Sequence, residues 1–167
     1  SNSRYYGSQL ITFPSPVTPD NGVTYHQVTG VYERSGARTN RQEAEAVVSF
    51  IRNHFLEGAA KTRSIGVVTF SQAQQKLIED LLDAARRQDL TLDRRITEQH
   101  NEPLFVKNLE NVQGDERDII LFSIGYGPDE TGRVFMNFGP LNREGGHRRL
   151  NVAITRAKDQ IHIFATL

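Results

Sequence analysis

The chain has 167 residues, of which 37 % are hydrophobic and 24 % charged, with 20 basic and 20 acidic side chains and a formal net charge of zero. That length suits one compact domain, and the charge balance excludes a strongly basic module that holds nucleic acid by bulk charge. The absence of cysteine excludes disulfides and thiolate metal sites and fits a reducing, cytoplasmic setting, while no apolar run approaches the ~20 residues that cross a bilayer.

In chain order, residues 1–37 read as a loosely structured segment, the tail of an upstream region. Pro14, Pro16 and Pro19 cluster there, Gly22, Gly30 and Gly36 follow, and short strands are expected at 10–13 and 24–28. The pattern sharpens at Asn40. Ala44, Val47, Val48, Ile51 and Phe55 follow helical spacing. Thr39 or Asn40 can cap that helix, with Glu43 placed as in a capping box. IGVVTF at 65–70 is a β-branched run typical of a buried parallel strand. Ser71 then caps a second helix with a spine of Ile78, Leu81, Leu82 and Ala85. LFVKNL at 104–109 and DIILFSIGY at 118–126 read as strands. The glycine-rich GPLNREGG at 139–146 leads into a helix over RRLNVAITRAKDQ at 148–160, and QIHIFA at 160–165 closes the chain as a strand. This alternation predicts an α/β fold with a mainly parallel sheet covered on both faces. In such sheets ligands bind beyond the carboxyl ends of the strands.

Three segments carry candidate chemistry. On a helix over 148–160, Leu150, Ile154 and Ala157 form the inward stripe, and Arg149, Ala153 and Arg156 form a second one. Two guanidiniums on one stripe repel each other unless an anion lies between them, and arginine suits phosphate best. Ion pairs with Glu144 and Asp159 are the plain alternative. Arg41 falls in the first turn of its helix, where the macrodipole disfavours a cation, so it either reaches an anion or pairs with Glu45 at i+4. In NVQGDERD at 111–118, Gly114 permits close approach of a ligand, Gln113 offers donor and acceptor, and Asp115, Glu116 and Asp118 bring carboxylates to the start of a strand. Those acids suit either a polar turn or a metal-dependent nuclease. His26, His54, His100, His147 and His162 are scattered without metal-ligand spacing, and no metal site is expected. Nowhere does the chain contain the phosphate-loop pattern G-x-x-x-x-G-K-[ST].

Taken together, IGVVTFSQAQ, VKNLENVQGDERDIILFSIGYG and PLNREGGHRRLNVAITRAK resemble motifs IV, V and VI of the second RecA-like domain of superfamily 1 helicases. The likeness is to the 5′-to-3′ branch that includes RNA-surveillance helicases, and in wording to large bacterial helicase-like proteins, some with a nuclease-like domain downstream. It covers residues 38–167, which it implies are one RecA-like (P-loop NTPase-type) three-layer domain lacking its own phosphate loop.

By position, the resemblance makes Arg156 the arginine finger of motif VI and Arg41 a second arginine at the γ-phosphate, both catalytic and converging at one edge of the sheet. It puts Gly114, Glu116, Gln113 and Arg149 at the nucleotide, with Glu116 on the ribose, and Thr69 and Asn108 at the nucleic-acid backbone. The implied cofactor is ATP with Mg²⁺, the metal held by a first RecA-like domain of the same polypeptide. The implied partner is single-stranded nucleic acid, with DNA placed ahead of RNA, and no membrane. Because the phosphate loop, the Mg²⁺-binding acids and the nearby glutamine belong to that first domain, this chain alone is expected to hydrolyse essentially no ATP. A non-catalytic interaction module of helicase-like fold is the alternative, followed by a metal-dependent nuclease.

Overall fold

A computed structural model describes residues 22–58, 63–135 and 138–166. The strand expected at 10–13 lies outside them. Strands β1 (Gly22–Gln27), β2 (Ile65–Thr69), β3 (Phe105–Asn108), β4 (Arg117–Ser123) and β5 (Ala157–Ala165) form one sheet in the order β1-β5-β4-β2-β3. Every pairing is parallel. Residues 22–27, within the segment read as a loose tail, are thus an edge strand of the same sheet. Parallel neighbours need crossovers that place structure on the sheet faces, which is why β2 is buried at all five of its positions.

Helices α1 (Arg41–Leu56), α2 (Gln72–Gln88) and α3 (Leu90–Thr97) cover one face. Ala44, Val47, Ile51 and Phe55 of α1 meet Ile78 and Leu82 of α2 and Leu92 and Ile96 of α3 over Ile65, Val67, Ile119 and Leu121. The sequence reading missed α3. It is only eight residues long, and Asp89 both ends α2 and caps α3 by accepting the Thr91 and Leu92 amides at 3.1 Å. The other face is covered by α4 (Gly146–Ile154) and by Leu109 and Val112 of the β3–β4 connection, packed on Val68, Ile120 and Phe122. A close approach on that face fixes one glycine: a Cβ on Gly66 would lie 2.3 Å from the Phe105 ring, which crosses it from β3. No helix among the described residues is long and apolar enough to cross a membrane.

One expected boundary is overturned. The helix over 148–160 stops at Ile154, and β5 begins at Ala157 rather than 160. Pairing decides this: the Arg117 amide donates to the Arg156 carbonyl at 2.9 Å and Ala157 stands opposite Arg117. Extending the ladder on β4 satisfies these backbone groups inside the sheet, where helix continuation would leave Arg117 unpaired. Ala157 therefore does not lie on the helical stripe, and Arg156 follows the helix instead of riding on it.

At the carboxyl ends of the strands a buried polar network joins the layers. Asn40 caps α1 by accepting the Glu43 amide at 3.1 Å. The reciprocal half of the capping box does not form, because the Gln74 side chain takes the Asn40 amide at 2.9 Å and donates back to the Asn40 carbonyl at 3.0 Å. Gln74 also donates to Ser123 Oγ at 3.2 Å. Glu43 is thereby released into the interior, where Oε1 accepts from Ser123 Oγ and the Gly125 amide, each at 2.7 Å. Its Oε2 is buried without a hydrogen-bond partner among the described residues. Burial, partly offset by these donors, pushes the Glu43 carboxyl up to about 8.

The sign of the resulting linkage is definite. The folded carboxyl keeps its proton to about pH 8 while the unfolded one, at its ordinary 4.5, loses it earlier. The associated stability is therefore complete below the unfolded value and is lost as pH rises through the folded one. His162 acts in a lower window: burial foremost and then His26 hold it at about 4. Stability consequently falls as pH drops from its ordinary 6.5 toward 4. Glu43→Gln retains the shape of the protonated acid, and comparing it with the native chain cancels the histidine contribution. Its melting temperature relative to native is expected to rise between about pH 5 and about pH 8 and to level off above that. A difference constant across that range would rule out proton linkage at Glu43.

Candidate functional site

The two ends of the sheet carry different chemistry. At the amino edge, where β4 and β5 begin, the β3–β4 connection arrives after a tight turn. Asn108 Oδ1 accepts the Glu110 amide at 3.0 Å, its carbonyl accepts Asn111 and Val112, and buried Leu109 and Val112 pin the segment. Beyond that anchor Gln113, Gly114 and Glu116 are exposed. Gly114 adopts φ +70° with open space where a side chain would stand, a backbone that glycine accepts without strain. Asp115 pairs with Lys107. The Lys107 ammonium foremost, with Arg117 and Arg156 more distantly, holds its carboxyl below the usual carboxylate range. Asp118 turns the other way and accepts the Ser64 amide at 3.0 Å. The acids of NVQGDERD therefore diverge rather than form a shared metal site.

Arg156 stands beside this segment. Its Nε donates to the Val152 carbonyl at 3.1 Å and its terminal nitrogen to Thr155 Oγ1 at 3.3 Å. The guanidinium thus closes the carboxyl end of α4, where carbonyls lack helical partners and the dipole favours a cation. Its partners are a carbonyl and a hydroxyl, not a carboxylate. Arg149 leans toward the opposite end of α4, donating to the Glu144 carbonyl at 3.2 Å. The expected single stripe of two arginines is replaced by one cation at each end of a short helix.

Arg41 lies at the carboxyl edge. Its neighbour Asn40 bonds Thr166, the residue just past β5, at 3.1 Å, whereas Arg156 immediately precedes β5. The nine residues of β5 separate them by roughly 30 Å at ~3.3 Å per residue. The two arginines do not converge, and Arg41 instead holds Glu45 at 3.0 Å. The plain i+4 pairing prevails there because both groups are more than half exposed on one helical face.

The carboxyl edge also holds an open groove of about 750 Å³. Asn108 lines it, although its amide group is already engaged by Gln75 Oε1 at 3.0 Å and by Glu110. Thr69 does not line it: the residue is fully buried and its hydroxyl donates to the Ser71 carbonyl at 2.8 Å. A direct phosphate contact from Thr69 is thus excluded in this arrangement. It shapes the turn that presents Phe70, Ser71 and Gln72 to the groove. Sequence reasoning missed the groove's cations, Arg34, Arg38 and Arg143, and its rings Tyr32 and Phe135. The available signal was interleaving of basic and aromatic residues in VYERSGAR and in the loop after β4.

An all-parallel five-stranded sheet between two helical layers, with motif V entering β4 and motif VI entering β5, defines the class: the second RecA-like domain of a superfamily 1 helicase. The chain belongs to the AAA-domain family AAA_12, whose model matches residues 12–166. It is 40 % identical over 173 residues to MG140 of Mycoplasma genitalium, named an uncharacterized ATP-dependent helicase, and 39 % identical over 170 residues to its Mycoplasma pneumoniae homologue. Each alignment covers 99 % of this chain but only 14 % of the relative. A regulator of nonsense transcripts 1 homologue of Drosophila melanogaster is 29 % identical over 151 residues, 89 % of this chain and 11 % of its own.

The Gly114 geometry gives a direct check. Gly114→Ala meets no steric neighbour, so its whole effect comes from the left-handed backbone, a destabilisation of roughly 1–2 kcal/mol in urea unfolding. An unchanged midpoint would show that the connection readily adopts another conformation.

Proposed function

We propose that this chain is the second motor domain of an ATP-dependent helicase or translocase that acts on single-stranded nucleic acid, DNA ahead of RNA. In this reading it forms one wall of an ATP site shared with a first RecA-like domain of the same polypeptide. The observation that carries the proposal is the polarity of the sheet. Arg156, Gly114 and Glu116 belong to the two segments that enter β4 and β5 at the amino edge, while an arginine-lined groove opens at the carboxyl edge. The names of the relatives support ATP-dependent helicase chemistry.

The amino-edge residues fit a nucleotide. The exposed Gly114 backbone leaves space for a phosphate, Glu116 is an exposed acceptor suited to ribose hydroxyls, and Arg156 offers donors held by a carbonyl and a hydroxyl, with Asp115 attracting them more distantly. ATP with Mg²⁺, the metal held by the first domain, supplies the phosphoryl group. The task of Arg156 is to leave the Val152 carbonyl and stabilise charge on the γ-phosphate oxygens as the domains close. Gln113 is a secondary donor to the same nucleotide, whereas Arg149, turned toward the other end of α4, is left out of it. Arg41 is left out of this half-site on account of its distance, and by itself this chain turns over no ATP.

In the polypeptide that joins this chain to its first domain, Arg156→Ala is expected to lower nucleic-acid-stimulated ATP hydrolysis by ~10³-fold, whereas Arg41→Ala leaves it close to native. Phosphate release in steady state reads both. Equal losses from the two variants would contradict the separation of the arginines, and no loss from Arg156→Ala would remove the finger assignment.

A further inference from the structure

Phosphate recognition needs cations and amides, yet the carboxyl-edge groove also presents rings. The Arg34 guanidinium carbon lies 3.1 Å from the centroid of the Phe135 ring, and Phe135 remains 40 % exposed. Tyr32 lines the same groove, its ring 5.4 Å from that of Tyr126. Tyr126 in turn meets Phe138 edge-on, with centroids 6.1 Å apart. The Tyr32 backbone is fixed by its amide bond to the Pro128 carbonyl at 2.8 Å and by a bridge to Asn40. Around these rings Arg34, Arg38 and Arg143 face one acid, Glu110, among the described residues of the lining, with Asp129 acting on Arg34 from outside it. Arg143 reaches that acid at 3.3 Å while its side chain stays 72 % exposed. A water-exposed ring under a guanidinium, set in a cationic groove, is a stacking surface: nucleobases stack on aromatic rings and on guanidinium planes alike.

We propose that the groove grips single-stranded nucleic acid through a base stacked on the Arg34–Phe135 pair, with Tyr32 bordering the base and Arg38 and Arg143 meeting the flanking phosphates. This rests on the nucleic-acid reading above and adds to it that the grip requires a nucleobase as well as a charged backbone. Since every base has a π-face, the preference is for bases over none and for purines over pyrimidines, without a sequence code.

The test is fluorescence anisotropy at low salt with this chain and two labelled oligonucleotides of about 12 nucleotides, one oligodeoxyadenylate and one of abasic sugar–phosphate. The base-bearing strand is expected to bind about tenfold tighter. Phe135→Ala should erase that advantage and leave the abasic strand unaffected, Phe135→Tyr should keep it, and Arg143→Ala should weaken both strands alike. Equal affinities for the two strands, or equal losses from Phe135→Ala and Phe135→Tyr, would overturn stacking while leaving nucleic-acid binding in place. Failure of both strands to bind would overturn the nucleic-acid reading itself. The melting temperature of each variant, with Phe135 lying at the surface, shows that the fold is retained.

Discussion

The clamp of the Gln74 side chain on both backbone groups of Asn40 is the contact on which the carboxyl edge depends. One amide satisfies the entry of α1, reaches Ser123 at the end of β4, and sits in the first turn of α2. Glu43 extends the same network to Gly125, and Asn40 carries it to Thr166 after β5. Loss of such a buried bridge leaves several groups unsatisfied at once, each costing about 1–3 kcal/mol. The loops that line the groove all leave from these fixed points, so their arrangement follows from packing beneath them rather than from contacts among their tips.

Zero net charge and an anion-binding role are compatible because the cations are placed, not abundant. On α1, α2 and the α2–α3 junction, arginine and lysine are matched to acids at short range, as in Arg41–Glu45, Lys76–Asp80 and Arg86–Asp93. Such exposed pairs contribute little to stability, but they neutralise one another on that helical face. Arg156 rests on a helix end rather than an acid, and Arg143 keeps most of its surface in water despite Glu110. Local field, not bulk charge, is what each edge offers to a ligand.

Much of the architecture was legible because buried parallel strands announce themselves: IGVVT and DIILFS are β-branched or aliphatic almost throughout, and α1 and α2 carry clear apolar spines with Asn40 and Ser71 at their starts. What escaped was set by long-range pairing. Nothing local in TRAKDQ says that it must pair with β4, so a helical pattern ran four residues into a strand. The same error placed Arg149 and Arg156 on one stripe. The expected convergence of Arg41 with Arg156 failed for a related reason: motif order along the chain does not reveal which end of a sheet a segment occupies. The stacking of His26 on His162, with 2.8 Å between Nε2 and Nδ1, joins residues 136 positions apart that no spacing rule connects. Thr69 was recognised as a strand end, but its burial depends on the Ser71 turn.

The parallel sheet has one further consequence. β5 runs from just past Arg156 to the Asn40–Thr166 contact, paired with β4 apart from one register shift near its start and flanked by β1 from Gln160 to Ala165. Such a ladder is stiff along its length, so events at its two extremities are not relayed by bending within the domain. A push delivered at one end reappears at the other as displacement of the entire body, as a rod rather than a spring passes on a load.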